Sequence, residues 1–278
     1  MIHHVPHFSI ILPAYKTRYL KECIDSVLAQ TYPHWELVIV NDASPENVRS
    51  IVEQYNDPRI RYYENGQNFG AERLVEQWNH CLSLAKKDYI ICIGDDDMIA
   101  PQGLEIYRDY IDQYPQVAVL HGQTDVIDEK GNLLSHTAKR PVWESAMSLL
   151  YNRTYHYHHQ FVGDFCYRRK DLIAQGGFYY LPYAWGSDDI TALLAAKENG
   201  IANTQEVVFL YRDNRHSITR SSHPLGKIKA ILREMRWKRQ FTALPCPNQE
   251  DEKKRKELRR GLCHHTLKKI YYVLRHSI

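Results

Sequence analysis

The residues best suited to chemistry are carboxylates. Asp95, Asp96 and Asp97 stand in a row after the apolar run 89–93 and Gly94, in YIICIGDDDMIAP. Adjacent carboxylates repel one another, and a hard divalent cation such as Mg2+ or Mn2+ relieves that repulsion through oxygen ligands. Mg2+ typically takes one or two carboxylates together with substrate phosphates. A diphosphate carries negative charge of its own, so acids, metal and diphosphate make a self-consistent set, and acids with diphosphate alone do not. Along an extended backbone Asp95 and Asp97 would share one side and Asp96 would take the other. A solvated acidic turn is the plainer alternative, and the apolar strand directly before the run weighs against it.

Two further acidic positions invite a role. In NDASPEN, Ser44 before Pro45 is expected to cap a helix, leaving Asp42 at a strand end to accept hydrogen bonds from a ligand. A simple turn aspartate is the rival reading. Asp188 and Asp189 open a predicted helix in WGSDDITALLAAKENG, with Ser187 as its expected cap. The helix dipole alone would justify them, at about 0.3–1 kcal/mol each. A general base is the functional reading, provided a substrate hydroxyl lies within hydrogen-bond reach. His216 follows the last predicted strand, where it could touch a metal or a phosphate. His156, His158 and His159 lack a metal-ligand spacing and suit the lining of an acceptor site. The phosphate loops GxxxxGK[ST] and GxGxxG are absent, which argues against P-loop and dinucleotide-binding Rossmann readings.

Elements that would position these residues alternate along the first hundred positions. Short apolar strands are predicted over 8–15, 35–42, 60–65 and 88–94. Between them Leu20, Cys23, Ile24, Val27 and Leu28, then Val48, Ile51, Val52 and Tyr55, then Ala71, Leu74, Val75, Trp78, Leu82 and Ala85 fall at helical spacing. Such alternation predicts a parallel sheet covered on both faces. In sheets of that kind ligands bind beyond the carboxyl ends of the strands. That edge would gather Pro13, Ala14, Tyr15, Asn41, Asp42 and Asp95–Asp97. Further on, helices are predicted over 101–114, 168–178 and 187–200, strands over 117–128 and 206–212, and a loop over 151–163. Two basic helices, 227–241 and 253–278, follow around Pro245 and Pro247.

Composition narrows the class. The chain has 278 residues, 44% of them hydrophobic and 25% charged, as in soluble globular proteins. No apolar run reaches the roughly 18 residues of a spanning helix, and the N-terminus lacks the pattern of a secretory signal. Six scattered cysteines without CxxC spacing point to reduced thiols and a cytoplasmic location. The net charge of +3 divides into −7 over residues 1–222 and +10 over 223–278. We therefore expect a catalytic domain at 1–222 and a basic helical C-terminal extension at 223–278. The extension would suit peripheral contact with the inner face of a membrane, or simple solvation. No nucleic-acid partner is expected.

Taken together, SIILPAYKTRYLKECIDSVLAQTYPHWELVIVNDASPE, ENGQNFGAERLVEQWNHCLSLAKKDYIICIGDDDMIAP, GDFCYRRKDLIAQGGF, WGSDDITALLAAKENG and YRDNRHSIT resemble family 2 glycosyltransferases of the GT-A fold. The resemblance covers about residues 7–221. It implies a Rossmann-like α/β/α sandwich with a mostly parallel central sheet, and an inverting, metal-dependent transfer from a nucleotide-sugar, with UDP the expected nucleotide. The acceptor would be a bacterial-type surface glycan or its lipid-linked precursor. By position, Pro13, Ala14, Tyr15 and Asp42 would hold the base, and Asn68 and Arg73 would lie near the nucleotide or diphosphate. The acidic run would serve ribose, through Asp95, and Mn2+ or Mg2+, through Asp96 or Asp97, with His216 near a metal or phosphate position. An ungapped match puts Gly94 at the usual first aspartate, which leaves Asp96 and Asp97 as alternative metal ligands. Asp189 falls at the expected catalytic base, and Asp188 stands where glutamate is usual. The rival readings are a relative that binds nucleotide-sugar without catalysis, which the Asp188 substitution keeps open, and a sugar-phosphate nucleotidyltransferase. PAYKTRYLKE offers no glycine-rich phosphate loop for the latter.

Overall fold

The computed structural model describes residues 5–156, 158–214 and 223–275. Among these residues ten strands form one sheet: β1 Phe8–Ala14, β2 Trp35–Asn41, β3 Ile60–Glu64, β4 Tyr89–Cys92, β5 Met98–Ile99, β6 Val119–Ile127, β7 Leu133–His136, β8 Trp143–Glu144, β9 Phe165–Arg168 and β10 Ile201–Arg212. The helices are α1 Leu20–Leu28, α2 Val48–Val52, α3 Leu74–Leu84, α4 Gly103–Gln113, α5 Ala146–Tyr155, α6 Arg169–Ala174, α7 Ser187–Ala195, α8 Pro224–Phe241 and α9 Gln249–Arg275. The sheet runs β3-β2-β1-β4-β9-β6-β10-β5, with β7 on β6 and β8 on β10. Strands β1 to β4 pair in parallel, as do β6 and β10. Strand β9 lies antiparallel between β4 and β6 and joins the two parallel parts.

Side-chain alternation builds the two cores. Phe8, Ile10, Leu12, Leu37, Ile39 and Ile91 pack on one face with α1, α2 and α4. Ile11, Val38, Val40, Ile90 and Cys92 pack on the other with α3 and α5–α7. The period-two pattern along β1, β2 and β4 therefore serves two buried faces, which explains why these strands read as continuously apolar. All six cysteines are free, and four of them are buried.

Several sequence expectations need correction. The expected loop at 151–163 begins as the last five residues of α5, because Ser145 accepts from the Ser148 amide and starts a helix the aromatic composition had hidden. Ser44 does not cap α2. Asn47 does, through the Ser50 amide, and Ser44 Oγ instead donates to the Tyr15 carbonyl. Nor does Ser187 cap α7: Gly186 holds that place in a left-handed conformation, and Ser187 Oγ takes the Leu181 amide. The last strand starts at Ile201, five residues earlier than expected, since polar Asn203, Thr204 and Gln205 sit at an irregular stretch of the ladder to β6. The basic C-terminal helices lie against the body: α8 packs on the turn at Pro182–Ala184 and α9 on α5.

Candidate active site

The parallel register places the ligand edge. Ala14 pairs with Asn41 and Ile11 with Cys92, so β1, β2 and β4 end side by side. Pro13 and Ala14 close β1, and Tyr15, just beyond it, is 41% exposed at the rim. Asp42 follows β2 and is buried. Its Oδ1 accepts from Asn65 Nδ2 at 2.8 Å and from the Phe69 amide at 3.1 Å, and Asn65 is itself braced by Gln77 at 2.8 Å. A cavity of about 320 Å3 opens beside it between Asn41, Ala43, Ser44 and Asn65. Asn68 turns back onto the Gly70 amide. Arg73 is exposed, paired with Glu76 at 2.9 Å and seated 5.1 Å from the Phe69 ring centroid.

The acidic run bends where an extended strand would have continued, and this overturns the expected alternation. The Asp97 amide donates to the Gly94 carbonyl at 3.3 Å and closes a turn. Asp95 Oδ2 receives the Tyr15 and Lys16 amides at 2.7 and 2.6 Å, tying the run to the end of β1. Asp96 and Asp97 then come together. A methyl group built on Gly94 would lie 2.8 Å from Asp96 Oδ1 and 3.0 Å from Asp97 Oδ2, so both oxygens face the space that glycine leaves open. An alanine could not sit there without moving them. The remaining oxygens are occupied: Asp96 Oδ2 by Asn214 Nδ2, and Asp97 Oδ1 by the Arg212 amide at 2.9 Å.

Arg212 is the cation beneath this turn, and sequence reasoning missed it. It ends β10 fully buried, donates to the Asp96 carbonyl at 2.9 Å, pairs with Glu22 at 2.6 Å and stacks on Tyr19. The available signal was an arginine closing an apolar strand. With Arg212 committed to Glu22, burial pushes all three carboxyls up, Asp95 to about 6, and mutual repulsion adds to this at Asp95 and Asp97. Two convergent carboxylate oxygens in a desolvated, negatively charged turn fit a hard divalent cation that draws its other ligands from phosphate and water. His216 lies outside the described residues.

The second acidic group stands at the start of α7. Asp189 is buried, and its Oδ1 accepts from Arg153 Nε at 2.9 Å and Gln160 Nε2 at 2.7 Å. Burial pushes this carboxyl up, but Arg153, with Lys238 and Lys269 behind it, wins and holds it well below the usual range. Asp188 is half-buried, and burial with the neighbouring Asp189 charge raises it to about 7. The backbone leading here is strained: Tyr183 and Ala184 have φ of 59° and 55°. Each such residue costs about 1–3 kcal/mol and persists only where its surroundings impose it. The segment 158–160 is clamped nearby, its His158 and His159 carbonyls taken by Arg153 and Arg140 at 3.3 and 3.0 Å. Sequence reasoning also missed Arg153, Gln160 and Arg140, because nothing local to them marks a partner on α7.

A family comparison decides the identity of this arrangement: residues 9–177 match Glycosyl transferase family 2. The chain belongs to that family. Among curated relatives it is 32% identical over 162 residues to the putative colanic acid biosynthesis glycosyl transferase WcaA of Escherichia coli, covering 57% of this chain and 55% of that protein. The chain spans about half the length of the curated relatives it matches first. Among solved structures, S. aureus TarS 1–349 in complex with UDP-GlcNAc superposes with TM-score 0.68 at 18% identity, over 84% of this chain and 66% of that one. The Pyrobaculum calidifontis mannosyltransferase PcManGT, in complex with GDP-Man and Mn2+, gives TM-score 0.62 at 16% identity, over 99% and 74%. The family 2 chain therefore carries the GT-A architecture expected from its sequence, with both acidic groups on that frame.

Proposed function

We propose that this chain transfers a sugar from a nucleotide-sugar, a UDP-sugar by preference, to an acceptor hydroxyl with inversion at the anomeric carbon. The observation that carries the reading is the pairing of Asp96 and Asp97 over Gly94 at the edge where β1, β2 and β4 end. Asp42 and the β1 terminus supply acceptors and an aromatic rim for a base, with Asn68 and Arg73 flanking. Asp95 stitches that rim to the acidic turn and is available to the ribose. Asp96 and Asp97 would hold Mn2+ or Mg2+, which supplies charge compensation for the leaving diphosphate when bound. The Mn2+ in the complex of PcManGT supports a divalent requirement.

In the reaction the acceptor oxygen forms a bond to the anomeric carbon from the face opposite the diphosphate. The bond from that carbon to the phosphate oxygen breaks, and the acceptor proton passes to a carboxylate. Asp189, oriented through Oδ1 by Arg153 and Gln160, takes that proton in the first reading. A second reading gives the proton to Asp188, because a half-buried carboxyl near 7 is better matched to neutral pH than one held strongly ionised.

The test is turnover of a nucleotide-sugar panel with and without Mn2+, with the anomer of the product read by NMR. Asp189→Asn should lose turnover by about 10²-fold or more while keeping UDP affinity. If Asp188→Asn alone does so, the second reading holds. UDP binding by the parent with no turnover on any donor or acceptor would favour the non-catalytic alternative.

The relative WcaA, whose name places it in colanic acid biosynthesis, supports a polysaccharide acceptor. Among the described residues no helix is long and apolar enough to cross a membrane. Contact with a membrane surface is supported by Leu267, Tyr271 and Leu274, exposed one above another near the end of α9 beside Lys268 and Arg275. Unaltered partition onto anionic vesicles in Leu267→Glu/Tyr271→Glu would remove that contact.

A further inference from the structure

The strained turn before Asp188 is gripped along its length by α8. Gly226, in the first turn of α8, takes the Tyr183 ring: a methyl group there would come within 2.0 Å of Tyr183 Cε2. Lys227 Nζ sits 5.0 Å from the Trp185 ring centroid. Glu234 meets Gly186, where a methyl group would lie 3.2 Å from the Glu234 carboxyl carbon. Leu181, Ile190 and Ala230 fill the space between. Glu234 is itself buried between two lysines, Lys238 Nζ at 2.5 Å on α8 and Lys269 Nζ at 2.8 Å on α9. The basic C-terminal helices thus bring a charged clamp to the residue two before Asp188.

We propose that Glu234, Lys238 and Lys269 are positioning residues of the active site, fixing the turn at 182–186 and setting the charge around Asp188 and Asp189. The proposal rests on the reading of that pair as the proton acceptor. It makes α8 and α9 a working part of the catalytic unit. The groups facing the pair come from six segments: Arg140 before β8, Arg153 of α5, Asp164 of the short turn before β9, Tyr167 of β9, Glu234 and Lys238 of α8, and Lys269 of α9. A purely structural clamp would affect folding alone. An electrostatic one gives opposite signs when opposite charges are removed. Loss of the Lys269 charge makes the pair harder to ionise. Loss of the Glu234 charge leaves two lysines unopposed and makes it easier.

The experiment compares the full chain with Lys269→Met, Lys269→Arg and Glu234→Gln. The readouts are the pH dependence of kcat, UDP affinity and melting temperature. Lys269→Met should move the acid limb up by about 0.5 pH unit or more, Lys269→Arg should restore it, and Glu234→Gln should move it down. UDP affinity should change less than about twofold, because the nucleotide edge lies on other elements. An unmoved acid limb, or a shift of the same sign in Met and Gln variants, overturns the proposal. If Glu234→Gln fails to fold, the Met and Arg pair at half-exposed Lys269 decides. If the parent turns over no nucleotide-sugar, the proposed reaction fails instead. NMR titration of the Asp188 and Asp189 carboxyls in the parent and the Lys269 variants then decides the clamp by the same signs.

Discussion

The two acidic groups of this molecule solve the same electrostatic problem in opposite ways. At 95–97 three carboxylates meet backbone amides and one asparagine, with Lys16 near Asp95 and Asp96, while the Arg212 guanidinium bonds the Asp96 carbonyl and Glu22. At 188–189 Asp189 meets Arg153 directly, with Lys238 and Lys269 outweighing Glu234 behind it, and Asp188 stands beside the pair. Burial pushes the carboxyls of the first group up, whereas Asp189 in the second is held down by its cations. A buried carboxylate without a cation tends to protonate, and one with a cation tends to ionise. The difference matches the division of labour proposed here, an added cation at the turn and a proton acceptor on α7.

The largest effect expected on that contrast is from Asp97→Asn. It should lower kcat on the order of 10³-fold and abolish the response to Mn2+, measured as turnover against metal concentration. An intact Mn2+ response would remove Asp97 from metal binding and leave Asp96 as the ligand to test. Arg153→Gln attacks the other group and should cost about 3 kcal/mol in urea unfolding, since it strands a buried carboxylate. Its sign with pH is fixed. Asp189 is depressed in the fold, so the pair contributes above the ordinary carboxyl value of about 4 and is lost as pH falls through the lower folded value. The gap between parent and variant should therefore be full from about pH 5 upward and narrow toward about pH 2. A gap independent of pH would mean that Arg153 acts by packing.

Gly94→Ala is subtler. The new methyl group must push Asp96 and Asp97 apart, and metal affinity by calorimetry should weaken about tenfold. Equal affinity would show that only one of the two aspartates ligates. Arg73→Ala, at an exposed pair outside both groups, should leave the urea-unfolding midpoint nearly unchanged. A clear drop would mean that Arg73 supports the Phe69 loop and, through it, Asp42.

Much of the first half was legible because its signals are local. The strand and helix faces from Phe8 to Cys92 follow periods of two and 3.6, and the fold puts them where those periods require. Legibility failed where a residue's partner lies far along the chain. Ser44 has the right chemistry for a cap, yet bonds Tyr15, 29 residues back, which the fold brings to it; Ser187 loses its cap nearer by, because the strained turn at 182–186 folds Leu181 back onto it. The polar opening of β10 has no strand pattern of its own and is held by its neighbours β6 and β8. The charge step near His223 was visible in the sequence. Its meaning was not, because the burial of Glu234 between Lys238 and Lys269 joins two separate helices.

The sequence by itself determined which carboxylates stand at strand and helix ends, since side-chain period and turn chemistry act over a few residues. Only the tertiary structure decided that Asp96 and Asp97 converge over Gly94, that Arg212 lies beneath them, and that Asp189 belongs to Arg153. Those pairings join residues up to 116 positions apart. They arise from packing in three dimensions, and a local pattern carries no record of what will be packed against it.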